Sequence, residues 1–425
     1  MFKELEITNF RGFKECITVK FAPITVLIGR NNAGKSSIVK FLLMLQQSLG
    51  TGKSGFLVSR GERTDLGPFH NLKNTLSGEK TLAFSLTMED FTSPRDSLSL
   101  YLQKKNKTLW PKNGVFQTAA EVSYSKKIPF QGKKHSFCLK IDGEEVTGRT
   151  AGISQNSNFL DFADAQKSKI DSHADSSEIA AENACLEVIA KKLVTIRHIS
   201  PDKKSVPRSF DTGEFTPETD VGQDGRFALH HLWNLHEDGG QNEMDFVSQY
   251  MEKVLDVTDI RFTDPKDGDL SQCMANNQNT RANNNLADFG HGVSQCFPIF
   301  VQGALMPPYS TLICEQPESQ IHSSAQLELG QYFADLWTNR KVASIIETHS
   351  DSILLRLRRL ISTGKLQASD VSVVYLSVDS IDNEQSVSVR NLGIESDGSM
   401  EDGLPMEFFH PNIWELLEMV ESSEE

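Results

Sequence analysis

No apolar run in the 425 residues approaches the length a membrane span needs, and Met1-Phe2-Lys3-Glu4-Leu5 carries charges where a secretory signal would need apolar residues. The expectation is a cytoplasmic protein with no membrane partner. The six cysteines, Cys16, Cys138, Cys185, Cys273, Cys296 and Cys314, never fall into C-x-x-C spacing, which leaves neither a disulfide framework nor a thiolate metal site to read. His230, His231 and His236 lack the acidic or cysteine partners of a metal centre and read as ordinary helix residues. A basic excess is missing as well. A net charge of -14, to which the solvated acidic tail 415–425 contributes, excludes a general nucleic-acid coat, so any such contact must be local. Sustained heptads are missing too: between residues 166 and 193 only Ile179, Leu186, Ile189 and Leu193 recur at helical spacing, too few for a coiled-coil arm.

What the chain does have begins at Gly29-Arg30-Asn31-Asn32-Ala33-Gly34-Lys35-Ser36, which satisfies G-x-x-x-x-G-K-[ST]. It follows Ile24-Thr25-Val26-Leu27-Ile28, a buried-strand run, and opens through Ser37 into residues 38–45, apolar at helical spacing. Strand, loop and helix in this order turn consecutive backbone N–H groups and a helix N-terminus toward a polyphosphate. In that reading Gly29, Asn31, Asn32, Gly34 and Ser37 shape the cradle, Lys35 reaches the β- and γ-phosphates, and the Ser36 hydroxyl ligates Mg²⁺. The alternative is a glycine turn that binds nothing. ATP and Mg²⁺ are the implied cofactors.

Upstream, Leu5, Ile7 and Phe10 lead into Arg11-Gly12-Phe13, and an alternating stretch from Cys16 to Phe21 precedes Pro23, so residues 1–28 read as strands joined by a turn. The pattern L-x-I-x-N-F-R-G-F ahead of a phosphate loop resembles the N-terminal lobe of ABC-type ATPases of the structural-maintenance-of-chromosomes (SMC), RecF and overcoming-lysogenization-defect (OLD) kinds. That resemblance implies that Arg11 lies beside the nucleotide; the plainer reading is a surface arginine in a hairpin turn. Asp288-Phe289-Gly290-His291-Gly292-Val293-Ser294-Gln295 precedes a mostly apolar helix over 296–305, in which Pro298 is tolerable only in the first turns. This stretch resembles the degenerate signature motif of the same ATPases, which implies that Gly290 and Gly292 approach a γ-phosphate bound on a second subunit.

Tyr309-Ser310-Thr311-Leu312-Ile313-Cys314 reads as a buried strand ending in Glu315-Gln316-Pro317-Glu318, the place for a carboxylate that holds Mg²⁺, here Glu315. The family's next position usually bears a glutamate that prepares the attacking water. Here it is Gln316, and an amide positions water but is a poor base. Slow turnover, Glu318 as the supplied carboxylate, and water positioning by the amide alone all stay open. Gln320 and His322 fall in the segment that corresponds to the family's D-loop. Val342-Ala343-Ser344-Ile345-Ile346 then runs into Glu347-Thr348-His349-Ser350-Asp351, which resembles the switch-histidine loop and gives His349 a hydrogen bond to the γ-phosphate or the water. Arg356, Arg358 and Arg359 on the next helix form either a positive patch or a soluble face.

Elsewhere the sequence is less specific. Residues 50–97 alternate polar turns with short apolar segments such as 82–88 and read as antiparallel strands. Gln46 and Gln47 end the phosphate-loop helix, and the family's metal-sensing glutamine stays unassigned. Lys104, Lys105, Lys107, Lys112, Lys126, Lys127, Lys133 and Lys134 are interleaved with Trp110, Phe116, Tyr124 and Phe130, a mixture that either tracks DNA or is the solvated face of strands with buried aromatics. A helix is expected around 227–235, a mobile loop over the Asn-, Gln- and Asp-rich 265–286, and the last core strand at 371–376. Residues 398–405, Phe408, Phe409 and 413–420 resemble the C-terminal extension of a bacterial branch that includes PtuA-like proteins of the Septu antiviral defence type. No acidic cluster after Glu315 points to the Toprim nuclease of full OLD proteins.

The expected fold class is α/β: an ABC-ATPase-like P-loop NTPase head with a mixed and antiparallel sheet N-lobe, a helical or irregular insertion and a C-terminal extension. Its expected divisions are 1–97 (N-terminal ATPase lobe), 98–285 (insertion), 286–380 (C-terminal ATPase lobe) and 381–425 (extension with acidic tail). The resemblance implies a slowly hydrolysing ATPase switch that works as a homodimer or higher oligomer. It would belong to a bacterial antiviral defence system and control a partner effector such as a nuclease encoded nearby. A RecF-like clamp that binds DNA in a nucleotide-dependent way, and a non-hydrolysing nucleotide sensor, are the alternatives.

Overall fold

A computed structural model describes residues 1–50, 58–68, 71–77, 82–89, 96–103, 120–126, 135–139, 193–213, 216–217, 219–263, 270–381 and 384–400. Most of the lysine- and aromatic-rich stretch, nearly all of the helical pattern over 166–193 and the segment 401–425 lie outside the described residues. The chain forms two compact units. Unit 1 is Met1–Phe21, Asn31–Ile196 and Leu376–Arg390; unit 2 is Ala22–Arg30, Arg197–Tyr375 and Asn391–Glu425.

Unit 1 is built on an antiparallel sheet in the order β2-β1-β4-β5-β6-β7, from β1 (Phe2–Thr8), β2 (Ile17–Lys20), β4 (Ala83–Glu89), β5 (Asp96–Gln103), β6 (Ala120–Lys126) and β7 (His135–Leu139). Alternation decides which face is inside: Leu5 and Ile7 are buried while Glu4, Glu6 and Thr8 are not. The ladder sets Leu5 against Val19 and Leu86, and Ile7 against Ile17 and Phe84, so one apolar face is continuous across three strands. Helix α1 (Lys35–Gly50) packs through Phe41, whose ring meets Phe10 at 5.1 Å and Phe84 at 4.8 Å, both edge-on.

Unit 2 carries a parallel core. In its sheet β16 (Val371–Ile381), β3 (Ile24–Gly29), β15 (Ala343–Glu347), β14 (Thr311–Glu315) and β8 (Ile196–Ile199) are neighbours in that order. The pairs β3/β15 and β15/β14 are parallel. Every residue of β3, β14 and β15 is buried, which is why these strands appear in the sequence as unbroken apolar runs instead of alternating ones. The α/β class expected from the sequence is therefore present, antiparallel in unit 1 and parallel at the centre of unit 2.

Among the described residues unit 2 has five further α-helices: α2 (Ala228–Glu237), α3 (Gln241–Leu255), α4 (His291–Leu305), α5 (Ser323–Arg340) and α6 (Asp351–Ser362). Tyr250, Phe300 and Tyr332 bring α3, α4 and α5 together, with ring centroids 4.9 to 5.9 Å apart. Gly303 is required there, because a Cβ would stand 2.0 Å from the Tyr332 hydroxyl. None of the described helices is long and apolar enough to cross a membrane.

Three expectations need correction. Residues 270–285 are not a loop: β11 (Leu270–Ser271) pairs with β9 (Phe210–Asp211), and β12 (Cys273–Asn277) lies between β10 (Val257–Phe262) and β13 (Asn283–Asn285). Cys273 and Ala275 fill the buried side, while amides satisfy each other on the open side, as Asn283 does by donating to Asn276 at 3.0 Å. That polar side masked the alternation. Helix α4 begins at His291, not Cys296, and so encloses Pro298, whose ring packs where a Cβ on Gly225 would stand 2.4 Å away. Finally, β16 is not the last strand, since β17 (Glu384–Leu392) pairs with it and Ser377 and Ser388 share a hydrogen bond of 2.7 Å.

Buried His231 on α2 donates through Nε2 to the Asp220 carbonyl at 3.2 Å. Burial pushes its pKa down, and that hydrogen bond opposes the shift only in part. The folded chain then holds fewer protons than the unfolded chain from about pH 6.5 downward to the lowered value. His231 therefore contributes full stability above that window and loses it as pH falls through it. His231→Gln keeps an N–H for Asp220 and removes the titration. Thermal melts between about pH 7.5 and 5 should show a shallower acid loss for the variant than for the parent.

Candidate functional site

The phosphate loop runs from Gly29, the end of β3, to Lys35, the start of α1. Its backbone includes Asn32 at φ 63° and Gly34 at φ 97°. Only glycine serves at position 34, because the φ is left-handed and a Cβ would stand 3.0 Å from the Phe13 ring. The Ser37 N–H donates to the Gly34 carbonyl at 2.9 Å, closing the turn into α1. Lys35 is only 4% exposed. The first turn of α1 holds no acidic residue, so nothing on the helix itself competes with an anion for its positive end.

Arg11 belongs to unit 1, as Asn31 to Ser37 do, and sits at the tip of a fixed turn. Phe10 and Phe13 bridge each other through backbone bonds of 2.9 and 2.8 Å and are fully buried. Arg11 takes φ 50°, costly for a side-chain-bearing residue by about 1–2 kcal/mol. Its N–H donates to the Leu72 carbonyl at 2.7 Å and its carbonyl accepts from Asn74 Nδ2 at 2.7 Å, which offsets that cost. Gln46 and Gln47 lie within α1 and are structural ties: Gln46 donates to the Ile196 carbonyl at 2.8 Å, and Gln47 to those of Val58 and Thr64 at 2.6 and 3.1 Å.

In unit 2 the chemistry gathers at the carboxyl ends of the parallel strands, where ligands of open α/β sheets bind. The register sets Glu315 beside Glu347, and Glu347 beside Leu27. Two bonds extend the ladder past the strand ends, Gln316 N–H to the Glu347 carbonyl at 2.7 Å and Thr348 N–H to the Leu27 carbonyl at 3.1 Å. Glu315 and Glu347 are both buried. Glu315 Oε1 lies 2.7 Å from His198 Nε2, a partner that is itself buried. Gln316 is held at φ 47°, so the chain turns sharply after the acid.

Glu318 reaches across to the next loop and accepts the His349 N–H at 2.7 Å. Burial pushes its carboxyl pKa up, while that hydrogen bond and the nearby Lys203 charge act in the opposite sense. Burial in turn lowers the Lys203 pKa, with Glu318 and Glu315 among the groups opposing the shift. The His349 side chain is exposed, and Ser350 caps α6 by accepting from the Ile353 N–H at 3.3 Å. Cys296 and Cys314 are inert thiols here, each pushed up to about 12 by burial.

Gly290 and Gly292 open α4 in different ways. Gly290 is the N-cap, exposed, with nothing within 4 Å of a Cβ, and the first turn carries no acid. Gly292 packs against the loop after β14, where a Cβ would stand 3.0 Å from Ile321 Cγ2. His322 caps α5 by accepting from the Ser324 N–H at 3.3 Å. Arg356 is paired with Glu328 at 2.6 Å and Arg358 donates to the Gly398 carbonyl at 2.7 Å, so both tie the fold together.

Unit 2 thus brings Glu315, Gln316, Glu318 and the His349 loop to one sheet edge, at which β3 also ends in Gly29. Arg11, Asn31, Asn32, Gly34, Lys35, Ser36 and Ser37 belong to unit 1. Sequence reading missed His198, Lys203 and Glu347. The signal for His198 was modest, a short apolar-flanked run, Ile196-Arg197-His198-Ile199, ahead of Pro201.

Residues 1–196 match the family model described as an AAA ATPase domain. No curated protein matches the chain. Among solved structures, the chain is similar to an SmcHead bound to the C-winged helix domain of ScpA, at 11% identity and TM-score 0.49, covering 92% of this chain and 98% of that one. It is similar also to the SMC head domain from Thermotoga maritima, at 8% identity and TM-score 0.42, covering 92% and 99%. A third is an Smc head domain with an extended coiled coil bound to the C-terminal domain of ScpA, derived from Pyrococcus furiosus. It matches at 10% identity and TM-score 0.45, covering 92% and 96%.

The raised Glu318 pKa has a measurable sign. Above the ordinary carboxyl value of 4.5 the folded chain keeps a proton that the unfolded chain releases, so stability falls as pH rises through the window up to the raised value. Glu318→Gln retains an oxygen for the His349 N–H and removes the buried charge. Its melting temperature should exceed the parent's by about 1–3 °C near neutral pH and coincide with it below about pH 4, as read by scanning calorimetry.

Proposed function

We propose that this chain is an ATP-binding, slowly hydrolysing ATPase switch whose working unit is two copies of itself. The observation that carries the reading is the buried Glu315 at the carboxyl end of β14, in a parallel sheet whose strand β3 runs directly into G-x-x-x-x-G-K-S. The AAA ATPase match over residues 1–196 supports the nucleotide assignment.

Mg²⁺ fits this donor set. Glu315 and Glu347 are register neighbours and so project to the same face, and two buried carboxylates side by side favour a cation. Among the described residues no group of three or more His, Cys, Asp or Glu forms a closed metal cage. That suits a cation bound through one or two carboxylates plus substrate phosphates. Glu315 and the Ser36 hydroxyl would hold it, and when bound it supplies charge neutralisation at the phosphates.

The protein's own groups do the rest. The loop amides and Lys35 grip the β- and γ-phosphates, with Arg11 beside them. Gln316 orients the attacking water through its amide. Glu318, its proton affinity raised by burial, supplies a carboxylate able to take a proton, and it also pins the His349 loop. Because no carboxylate directly follows Glu315, turnover is slow. Exposed Gly290 and the acid-free first turn of α4 suit a helix N-terminus offered to the γ-phosphate of a second copy. The output is a change in how a partner effector, such as a nuclease of a bacterial antiviral defence system, is held; the C-terminal resemblance to PtuA-like proteins supports it.

Two variants test this. Lys35→Ala should lose at least about tenfold in ATP affinity and abolish ATP-dependent association in sedimentation. Gly290→Asp, which has room for its side chain and a favourable N-cap residue, should fold and bind ATP as a single chain yet fail to pair. Mixing the two should restore pairing through one intact composite site. Association that is independent of ATP and unchanged in Lys35→Ala would refute the reading.

A further inference from the structure

The segment 198–206 leaves β8 and touches two functional elements in succession. His198 Nε2 meets Glu315 Oε1 at 2.7 Å. Five residues on, Lys203 Nζ donates to Gln295 Oε1 at 3.4 Å, and the Val206 N–H donates to Ser294 Oγ at 3.3 Å. Ser294 and Gln295 are buried residues in the first turns of α4, next to Gly290 and Gly292. The path between is fixed, since the Ser200 and Lys204 N–H groups donate to the Gln223 and Asp224 carbonyls, each at 2.9 Å. The neighbouring stretch is tied to α4 as well: Gln302 accepts from the Val221 N–H and donates to the Thr219 carbonyl, both at 2.9 Å.

We infer that this segment is a strap in which His198 is a positioning residue for Glu315, and Lys203 with Val206 carries the state of that carboxylate to the N-terminus of α4. The inference rests on the proposed role of Glu315 as the metal-holding acid. With Oε1 held by His198, Oε2 is the oxygen available to a cation, and the imidazole sets the direction in which it points. The contact is buried, so water cannot replace it and its geometry is kept or lost as a unit. Lys203 is partly buried between Gln295 and the negative charge of Glu315 and Glu318. A cation on Glu315 cancels part of that charge and weakens the hold on Lys203, which leaves its hydrogen bond to Gln295 free to shorten or rearrange. The chain's own site is thereby linked to the helix it offers to a second copy.

The test uses the full chain with a fluorescent ATP analogue, titrated with Mg²⁺, alongside sedimentation with ATP and Mg²⁺ and a thermal melt of each variant. His198→Leu should shift the Mg²⁺ midpoint for nucleotide binding upward by about tenfold or more, as expected for loss of a partner that orients a metal ligand, and His198→Gln should recover most of it. Lys203→Met should raise the protein concentration needed for ATP-dependent pairing by about tenfold, with Lys203→Arg close to the parent. If His198→Leu does not fold, His198→Asn, which is too short to reach Glu315, takes its place with the same expected shift. A Mg²⁺ midpoint within about twofold of the parent for His198→Leu, or for His198→Asn in its place, or unchanged pairing in Lys203→Met, overturns the strap while leaving the ATPase reading intact. A parent chain whose nucleotide binding does not depend on Lys35 overturns both.

Discussion

The parallel register of β14, β15 and β3 is the constraint on which the rest depends. It fixes Glu315 opposite Glu347 and Glu347 opposite Leu27, and the bonds from Gln316 and Thr348 prolong it into the loops. A slip of one residue would send Glu315 to the other face of the sheet and leave a carboxylate in the apolar interior. Complete burial of the three strands makes such a slip prohibitive, because every side chain on both faces has a packed place. The apolar content of these strands thus does more than stabilise a core. It holds an acid, an amide and a histidine-bearing loop at one edge.

Unit 1 solves a different problem by similar means. A loop that presents its amides inward needs left-handed backbone, and the chain supplies it with Gly34 under the Phe13 ring and with Asn32. Phe13 is in turn held by its bridge to Phe10, and Phe10 by the edge of Phe41 on the helix that the loop opens. The N-F-R-G-F turn and the phosphate loop are therefore one packed object. Arg11 is carried at its tip in a strained conformation that Leu72 and Asn74 make tolerable.

Much of this was legible in the sequence because the signals are local. The phosphate loop is contiguous, buried parallel strands appear as unbroken apolar runs, and Glu315 and His349 fall directly after such runs. What escaped was long-range or disguised. His198 lies 117 positions from Glu315, and no local pattern marks a histidine that pairs across a sheet. The strands β12 and β13 were hidden because asparagines satisfy each other on their open face, which in composition resembles a loop. The start of α4 was misplaced because Pro298 reads as a helix breaker, whereas here its ring fills the space beside Gly225. The roles of Lys203 and Glu347 depend on tertiary neighbours alone.

The proposal is of a nucleotide whose phosphates are gripped by one copy and completed by another, with turnover slowed by an amide where a base is usual. A crystal structure of the full chain grown with Mg²⁺ and a non-cleavable ATP analogue tests this most directly. The account predicts a dimer in which the cation sits on Glu315, directly at about 2.0–2.1 Å or through one of its waters, and Gly290 of a second copy faces the γ-phosphate. A ligand enclosed by a single chain, with the cation away from Glu315 and Gly290 open to solvent, would contradict it.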